Sequence, residues 1–284
     1  MLSPAEIHEK NRISWNAATI AHNSHKGDQA AFFRAGGDSV FPEELALLGD
    51  LDGQRVVHLQ CNAGQDTLSL ARRGARCLGV DISDEAIRFA RQLSADSGIA
   101  AEFVRCDVYD WLRDAEPEQF DIAFASYGAL CWLSDLKQWA AGVRRILRPG
   151  GRLVVVEFHP VMGMFSEDAT LFYDYSTRGV VYEHTVGVSD YVAASGDGLT
   201  PGEYHAGIVD FKNPHPCYEY IWGVGDVITA MLSAGLRLVQ FEEYLHSNGC
   251  KFMTAMRDAG EGRWIQPEGM PVMPMMYGVV ATRG

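Results

Sequence analysis

The chain has 284 residues, 47% of them hydrophobic, enough for one large domain with a full core or for one domain carrying a sizeable insertion. A formal net charge of -13 and a pI near 5.1 argue against the basic face with which a nucleic-acid-binding domain meets phosphates. The six cysteines are scattered without a C-x-x-C pair, the segment MLSPAEIHEKNRISW lacks the basic and apolar regions of a signal peptide, and no apolar run approaches the roughly 18 residues of a membrane span, so the expectation is a soluble, cytoplasmic protein with reduced thiols.

From Arg55 to Phe158 short β-rich runs alternate with amphipathic helix-length segments, the rhythm of a parallel sheet wound with helices. Strands are predicted over Arg55–Gln60, Arg76–Val80, Ala101–Arg105, Phe120–Ala125 and Arg152–Phe158. VVHLQ, FDIAFA and LVVVEF carry few polar positions, as strands covered on both faces do. Ser83 is placed to cap a helix that opens on Asp84 and Glu85. From Asp135 to Leu147 the residues Leu136, Trp139, Ala140, Val143, Ile146 and Leu147 make one apolar stripe, which Arg148-Pro149-Gly150-Gly151 ends.

After Phe158 the rhythm breaks: residues 160 to 222 are rich in aromatics, among them Phe165, Tyr173, Tyr182, Tyr191, Tyr220 and Trp222. Alternation then resumes with a helix stripe through Val224, Val227, Ile228, Met231 and Leu232, a strand over Leu236–Tyr244 and a last strand over Met275–Thr282.

Ligands of an open α/β sheet bind beyond the carboxyl ends of its strands. The first such loop is HLQCNAGQD, His58 to Asp66, in which Gly64 and Asn62 suit the positive φ angles of a tight strand-to-helix turn. Asp81 ends the second strand, 17 residues past Gly64, where a carboxylate is placed to accept from two ribose hydroxyls or, more plainly, to cap a turn. Asp107 follows the third strand, placed to accept from an adenine amino group or to cap a helix.

Taken together these segments resemble the class I S-adenosylmethionine-dependent methyltransferase family. VVHLQCNAG aligns with its glycine-rich first motif, GVDIS with its ribose-binding acidic motif, RCDV with its adenine-contacting motif, FDIAFASYGALCWL with its fourth strand and the loop after it, and LRPGGRLVVVEF with the turn into its fifth strand. The resemblance covers residues 45 to 160, with 223 to 284 fitting a closing helix and two strands. It implies an α/β, Rossmann-like doubly wound fold with a seven-stranded, mostly parallel sheet and an aromatic-rich insertion after strand 5. It divides the chain into a helical cap (1–50), a cofactor-binding half (51–160), a substrate-pocket insertion (161–222) and the closing elements (223–284). S-adenosyl-L-methionine is the cofactor it implies and S-adenosyl-L-homocysteine the product.

The first motif departs from the family pattern. An acidic residue and alternating glycines are replaced by His58, Gln60 and Asn62, and only Gly64 remains. Either Gln60, Asn62 or Gln65 bonds the methionyl end of the cofactor through a side chain, or the site is weakened. The resemblance also assigns Ile82 and Val108 to the cofactor pocket and Ser126 to the methionyl region, although Ser126 and Tyr127 serve equally well as structural hydroxyls.

Methyl transfer from a sulfonium needs mainly alignment and, where the nucleophile is protonated, a base. His159, after the fifth strand, is the expected general base or else a turn-bonding histidine, and Tyr127 is the second catalytic candidate, with His22 and His25 behind them. Trp15 either stacks on the cofactor or anchors the leading helix on the core. The aromatic insertion either selects a planar acceptor or extends the sheet or a dimer contact. No Asp, Glu or His cluster has metal-ligand spacing. The expected partner is a small-molecule methyl acceptor, with no nucleic acid or membrane involved and the chain a monomer or homodimer. A nicotinamide-dependent dehydrogenase is disfavoured because the first turn lacks G-x-G-x-x-G, whereas a non-catalytic cofactor-binding protein, or another reaction on the same fold, stays open.

Overall fold

A computed structural model of the chain describes residues 2–200 and 202–284. The predicted alternation folds into β1 (Arg55–Leu59), β2 (Arg76–Asp81), β3 (Glu102–Arg105), β4 (Phe120–Ser126) and β5 (Leu147–Phe158), followed by β6 (Val181–His184), β7 (Cys217–Tyr220), β8 (Leu236–Tyr244), β9 (Ser247–Asn248), β10 (Arg257–Gly260), β11 (Arg263–Ile265) and β12 (Met276–Arg283). Seven of them make one sheet in the order β3-β2-β1-β4-β5-β12-β8. The first five run parallel, and β12 is antiparallel to both β5 and β8. Strand β5 begins at Leu147 rather than Arg152, because Leu147 pairs with Phe120 and the Arg148–Gly151 turn is absorbed as a bulge in the ladder.

The helices are α1 (Pro4–Ser24), α2 (Gln29–Arg34), α3 (Pro42–Leu48), α4 (Gln65–Arg72), α5 (Asp84–Ser97), α6 (Val108–Asp114), α7 (Leu136–Ile146), α8 (Pro160–Gly163), α9 (Tyr191–Ser195) and α10 (Val224–Ser233). The capping residues act as their chemistry dictates. Ser83 accepts from the Ala86 amide at 3.1 Å, and Asp135 accepts from Lys137 and Gln138. Side chains alternate along the central strands: Val57, Ala123, Leu153, Val155 and Val279 pack with Leu112, Trp139, Val143 and Met231 on one face, while Val56, Ile122, Val154, Val156 and Val280 pack with Leu47, Leu48 and Leu70 on the other. The sheet is therefore buried on both faces.

The order reverses between β1 and β4, the place where an open sheet leaves a crevice at its carboxyl edge. Two excursions and the leading helices cover that crevice. Residues 160 to 222 form α8, α9 and the antiparallel pair β6–β7, a sheet of its own, and residues 245 to 275, absent from the sequence expectation, add the three-stranded sheet β10-β11-β9. Four buried methionines, Met162, Met253, Met256 and Met275, join the two excursions in one apolar cluster. Asn11 of α1 fixes the β7 backbone by donating to Tyr218 O (2.8 Å) and accepting from Tyr218 N (2.7 Å).

The turn from β1 into α4 has the tightest steric demand. Gly64 takes φ +81°, and a Cβ there would lie 2.8 Å from both the Ala90 Cβ and the Phe103 ring. Replacing Gly64 by Ala is expected to cost at least about 1–2 kcal/mol from the left-handed backbone alone, with the clash added, which a shift in urea midpoint at constant slope will show.

Candidate functional site

The crevice is a cavity of about 1180 Å³ floored by the carboxyl ends of β1, β2, β4 and β5. Gln60, Asn62 and Tyr127 all adopt positive φ, at +54°, +47° and +38°, so the chain turns sharply as it leaves β1 and β4. Gln60 Nε2 donates to Ala129 O at 2.5 Å and so bridges those loops, while its buried Oε1 has no partner. The Asn62 side chain accepts from the Ala63 amide at 2.7 Å, and Tyr191 of α9 lies beside Asn62 and Asp81.

Carboxylates organise the rim. Asp81 accepts from Asn62 N and Ser83 N, both at 2.8 Å, and burial pushes its carboxyl up to about 6 despite those bonds. Glu157 collects the amides of Gly128, Ala129, Leu130 and Phe158, yet burial still raises it. At Asp107 burial is outweighed by the His8 ring, 2.7 Å away, which holds the carboxyl below its usual range; the same carboxylate caps α6 through Tyr109 N. His58, buried at the end of β1, bridges Thr67 Oγ1 (2.9 Å) and Ser126 Oγ (3.3 Å), and burial lowers its pKa to about 3, so the ring is neutral.

Residues 57–155 match the family described as a methyltransferase domain. Over these residues the chain is similar to a methyltransferase domain. Relatives include a demethylmenaquinone methyltransferase of Mycobacterium sp. (strain KMS), 34% identical over 142 residues (49% of this chain, 55% of the relative), and a ubiquinone biosynthesis O-methyltransferase of Hahella chejuensis, 31% identical over 103 residues (36% and 42%). The chain thus spans about half or less of the length of these relatives. Among solved structures, an S-adenosylmethionine-dependent methyltransferase of Mesorhizobium loti superimposes with TM-score 0.55 at 21% identity, covering 87% of this chain and 99% of that one, and a putative one from Listeria monocytogenes gives 0.55 at 17% identity, covering 85% and 96%. These likenesses establish the fold.

Around the cavity stand Trp15, Gln60, Asn62, Gln65, Asp81, Ile82, Asp107, Val108, Ser126, Tyr127 and His159. Gly64 lies beneath, in the turn that shapes it. His159 takes the turn-bonding alternative: its Nδ1 accepts from Val161 N at 3.2 Å, capping α8, and its Nε2 faces Glu243 Oε1 at 3.1 Å, so both ring nitrogens are engaged in this structure. His22 and His25 sit behind the wall, bonded to Ser189 O and Asp190. Tyr127 receives a bond from Asn248 Nδ2 at 2.9 Å, and burial with the nearby Glu44 raises its hydroxyl far above the usual range, which suits a donor or positioning group rather than a base.

Several lining residues had no signal in the sequence reading. Asn248, Lys251 and Arg263 come from the 245–275 excursion, whose short strands lack periodicity, and His8 and Lys26 come from α1 and its end. Asp66 lies inside the first loop, and Lys26 inside the stretch SWNAATIAHNSHKG that also holds Trp15, His22 and His25.

His58 makes the domain acid-sensitive. Its folded pKa lies below the unfolded 6.5, so in the interval between the unfolded chain binds the extra proton; the stability His58 contributes is complete above 6.5 and is lost as pH falls towards 3. The unfolding free-energy gap between wild type and His58→Asn is expected to shrink by about 2 kcal/mol between about pH 8 and about pH 5; a gap independent of pH contradicts a neutral buried His58.

Proposed function

We propose that this protein transfers the methyl group of S-adenosylmethionine to a small-molecule acceptor bearing an oxygen, nitrogen or carbon nucleophile. The observation that carries this reading is Asp81, a half-buried carboxylate at the end of β2 that faces the cavity at the sheet's reversal point and keeps lone pairs beyond its two backbone bonds. The residues fit an adenosyl group: Asp81 would accept from ribose hydroxyls, Asp107 from the adenine amino group with Ile82 and Val108 against the ring, and the unpartnered Gln60 Oε1 offers an acceptor for a cationic end.

Bound S-adenosylmethionine supplies an activated methyl on a sulfonium. The protein's own task is alignment and exclusion of water. Trp15, Trp132 and Tyr191 meet edge to face, Trp15 with Trp132 at 5.4 Å and Trp15 with Tyr191 at 6.4 Å, and close the cavity over its floor. Phe165, Tyr173, Tyr182, Tyr220 and Trp222, from the 161–222 insertion and its end, line the same cavity, which supports a planar acceptor held among aromatic faces, with Tyr127 positioning it. A cytoplasmic monomer or homodimer that engages neither nucleic acid nor membrane is part of this reading; among the described residues no helix is long and apolar enough to cross a membrane, and no His, Cys, Asp and Glu group suits a metal.

A second reading is favoured by Gln60 and Asn62 standing where the family has glycines: a protein that binds the cofactor without turnover. Calorimetry with S-adenosylmethionine and S-adenosylhomocysteine tests the first step. Micromolar binding weakened at least tenfold by Asp81→Ala, about 1.4 kcal/mol, is expected, and well-folded protein that binds neither ligand refutes the reading. Formation of S-adenosylhomocysteine in the presence of phenolic and heteroaromatic acceptors then separates an enzyme from a binder.

A further inference from the structure

One part of the cavity wall is not used by the adenosyl contacts. Lys26, just past α1, lines the cavity, and among the described residues its ammonium has neither a hydrogen bond nor an ion pair; burial lowers its pKa to about 8, opposed only by the charge of Asp66. Asp66, in the first turn of α4, lines the same cavity. One of its oxygens accepts from Ser39 Oγ at 2.7 Å, and burial pushes the carboxyl up to about 6. The other charged groups facing Asp66 are Asp38, also on the cavity wall, and the buried Glu44, whose carboxyl is driven well up. A cation and an anion thus face one cavity, near enough to sense each other, without forming a salt bridge.

Both residues are half-buried on the cavity wall, and opposite charges partly removed from water are left uncompensated unless something completes them. The complement of a lysine and an aspartate held apart is a zwitterion, with its carboxylate on one and its ammonium on the other. Asp66 lies two residues past Gly64, on the loop where Gln60 and Asn62 displace the glycines whose backbone would approach the amino-acid end of the cofactor. Gln65, between them, ties this loop to α2 through a 2.6 Å bond to Gln29 and so holds Lys26 and Asp66 on adjoining segments.

We propose that Lys26 and Asp66 bind the α-carboxylate and the α-ammonium of the amino-acid moiety of S-adenosylmethionine, a charge-pair anchor that replaces the lost glycine contacts. This inference rests on the methyltransferase reading above. It makes affinity depend on the ligand's amino-acid end in a way the adenosyl contacts do not.

Calorimetry with three probes tests it: S-adenosylhomocysteine, which has both charges; decarboxylated S-adenosylmethionine, which keeps only the ammonium; and 5′-methylthioadenosine, which has neither. Lys26→Met is expected to weaken S-adenosylhomocysteine at least tenfold and to leave the other two within about twofold. Asp66→Asn is expected to weaken the first two and spare methylthioadenosine, and Lys26→Arg to retain most of the wild-type affinity for S-adenosylhomocysteine. Unfolding midpoints establish that each variant is folded; if Lys26→Met is not, Asp66→Asn and Lys26→Arg decide. Equal affinity of wild type and variants for S-adenosylhomocysteine, or equal loss with methylthioadenosine, overturns the anchor. Wild-type protein that binds none of the probes overturns the cofactor reading itself, whereas binding of all three that is indifferent to Lys26 and Asp66 removes only the anchor.

Discussion

The site depends on carboxylates that take up backbone N–H groups at the carboxyl edge of the sheet. Where strands end and chains turn, amides lose their ladder partners, and a buried amide without an acceptor costs about 1–3 kcal/mol. Glu157 satisfies four amides of the turn after β4 and of its own strand end, and Asp81 satisfies two at the ends of β1 and β2. The four bonds to Glu157 use both of its oxygens twice, so its role is structural. Asp81 accepts only two backbone bonds, so capping the turn leaves acceptor capacity on a carboxylate that lines the cavity.

Above that floor the cavity is closed by segments from three distant parts of the chain. Helix α1 meets the insertion through Asn11 and Ser14, whose hydroxyl accepts from Val188 N and donates to His215 O. The excursion before β12 meets α3 through Glu43, which receives bonds from His246, Asn248 and Arg263. Each contact joins segments about two hundred residues apart in sequence, so the roof is held by long-range contacts whereas the floor is held by the strand ends and their own turns.

The sheet was legible because burial on both faces writes itself as unbroken apolar runs, and the helices because their caps and stripes are local. Asp81 and Asp107 were legible because strand ends are countable from the sequence. His159 was legible only in part: its place at the end of β5 follows from the strand, whereas its bonds to Val161 and to Glu243 across the sheet are set by folding. The 245–275 excursion left no trace because methionines without periodicity hold it and its strands are two to four residues long. Lys26 sits where a helix ends, and nothing in its neighbours shows that it points into a cavity.

The replaced glycines have an energetic cost that narrows what they can be doing. A non-glycine residue in the left-handed region costs about 1–2 kcal/mol, less for asparagine, and Gln60, Asn62 and Tyr127 all take such angles on the wall of one cavity. Asn62 offsets its cost through the bond to Ala63 N, and Gln60 through the bridge to Ala129 O. A glycine at Gln60 would be free of the strain but would lose the bond that bridges the loops after β1 and β4. The side chains at Gln60 and Asn62 therefore hold the left-handed turn through their own hydrogen bonds, and they stand on the cavity wall where a glycine would present only backbone.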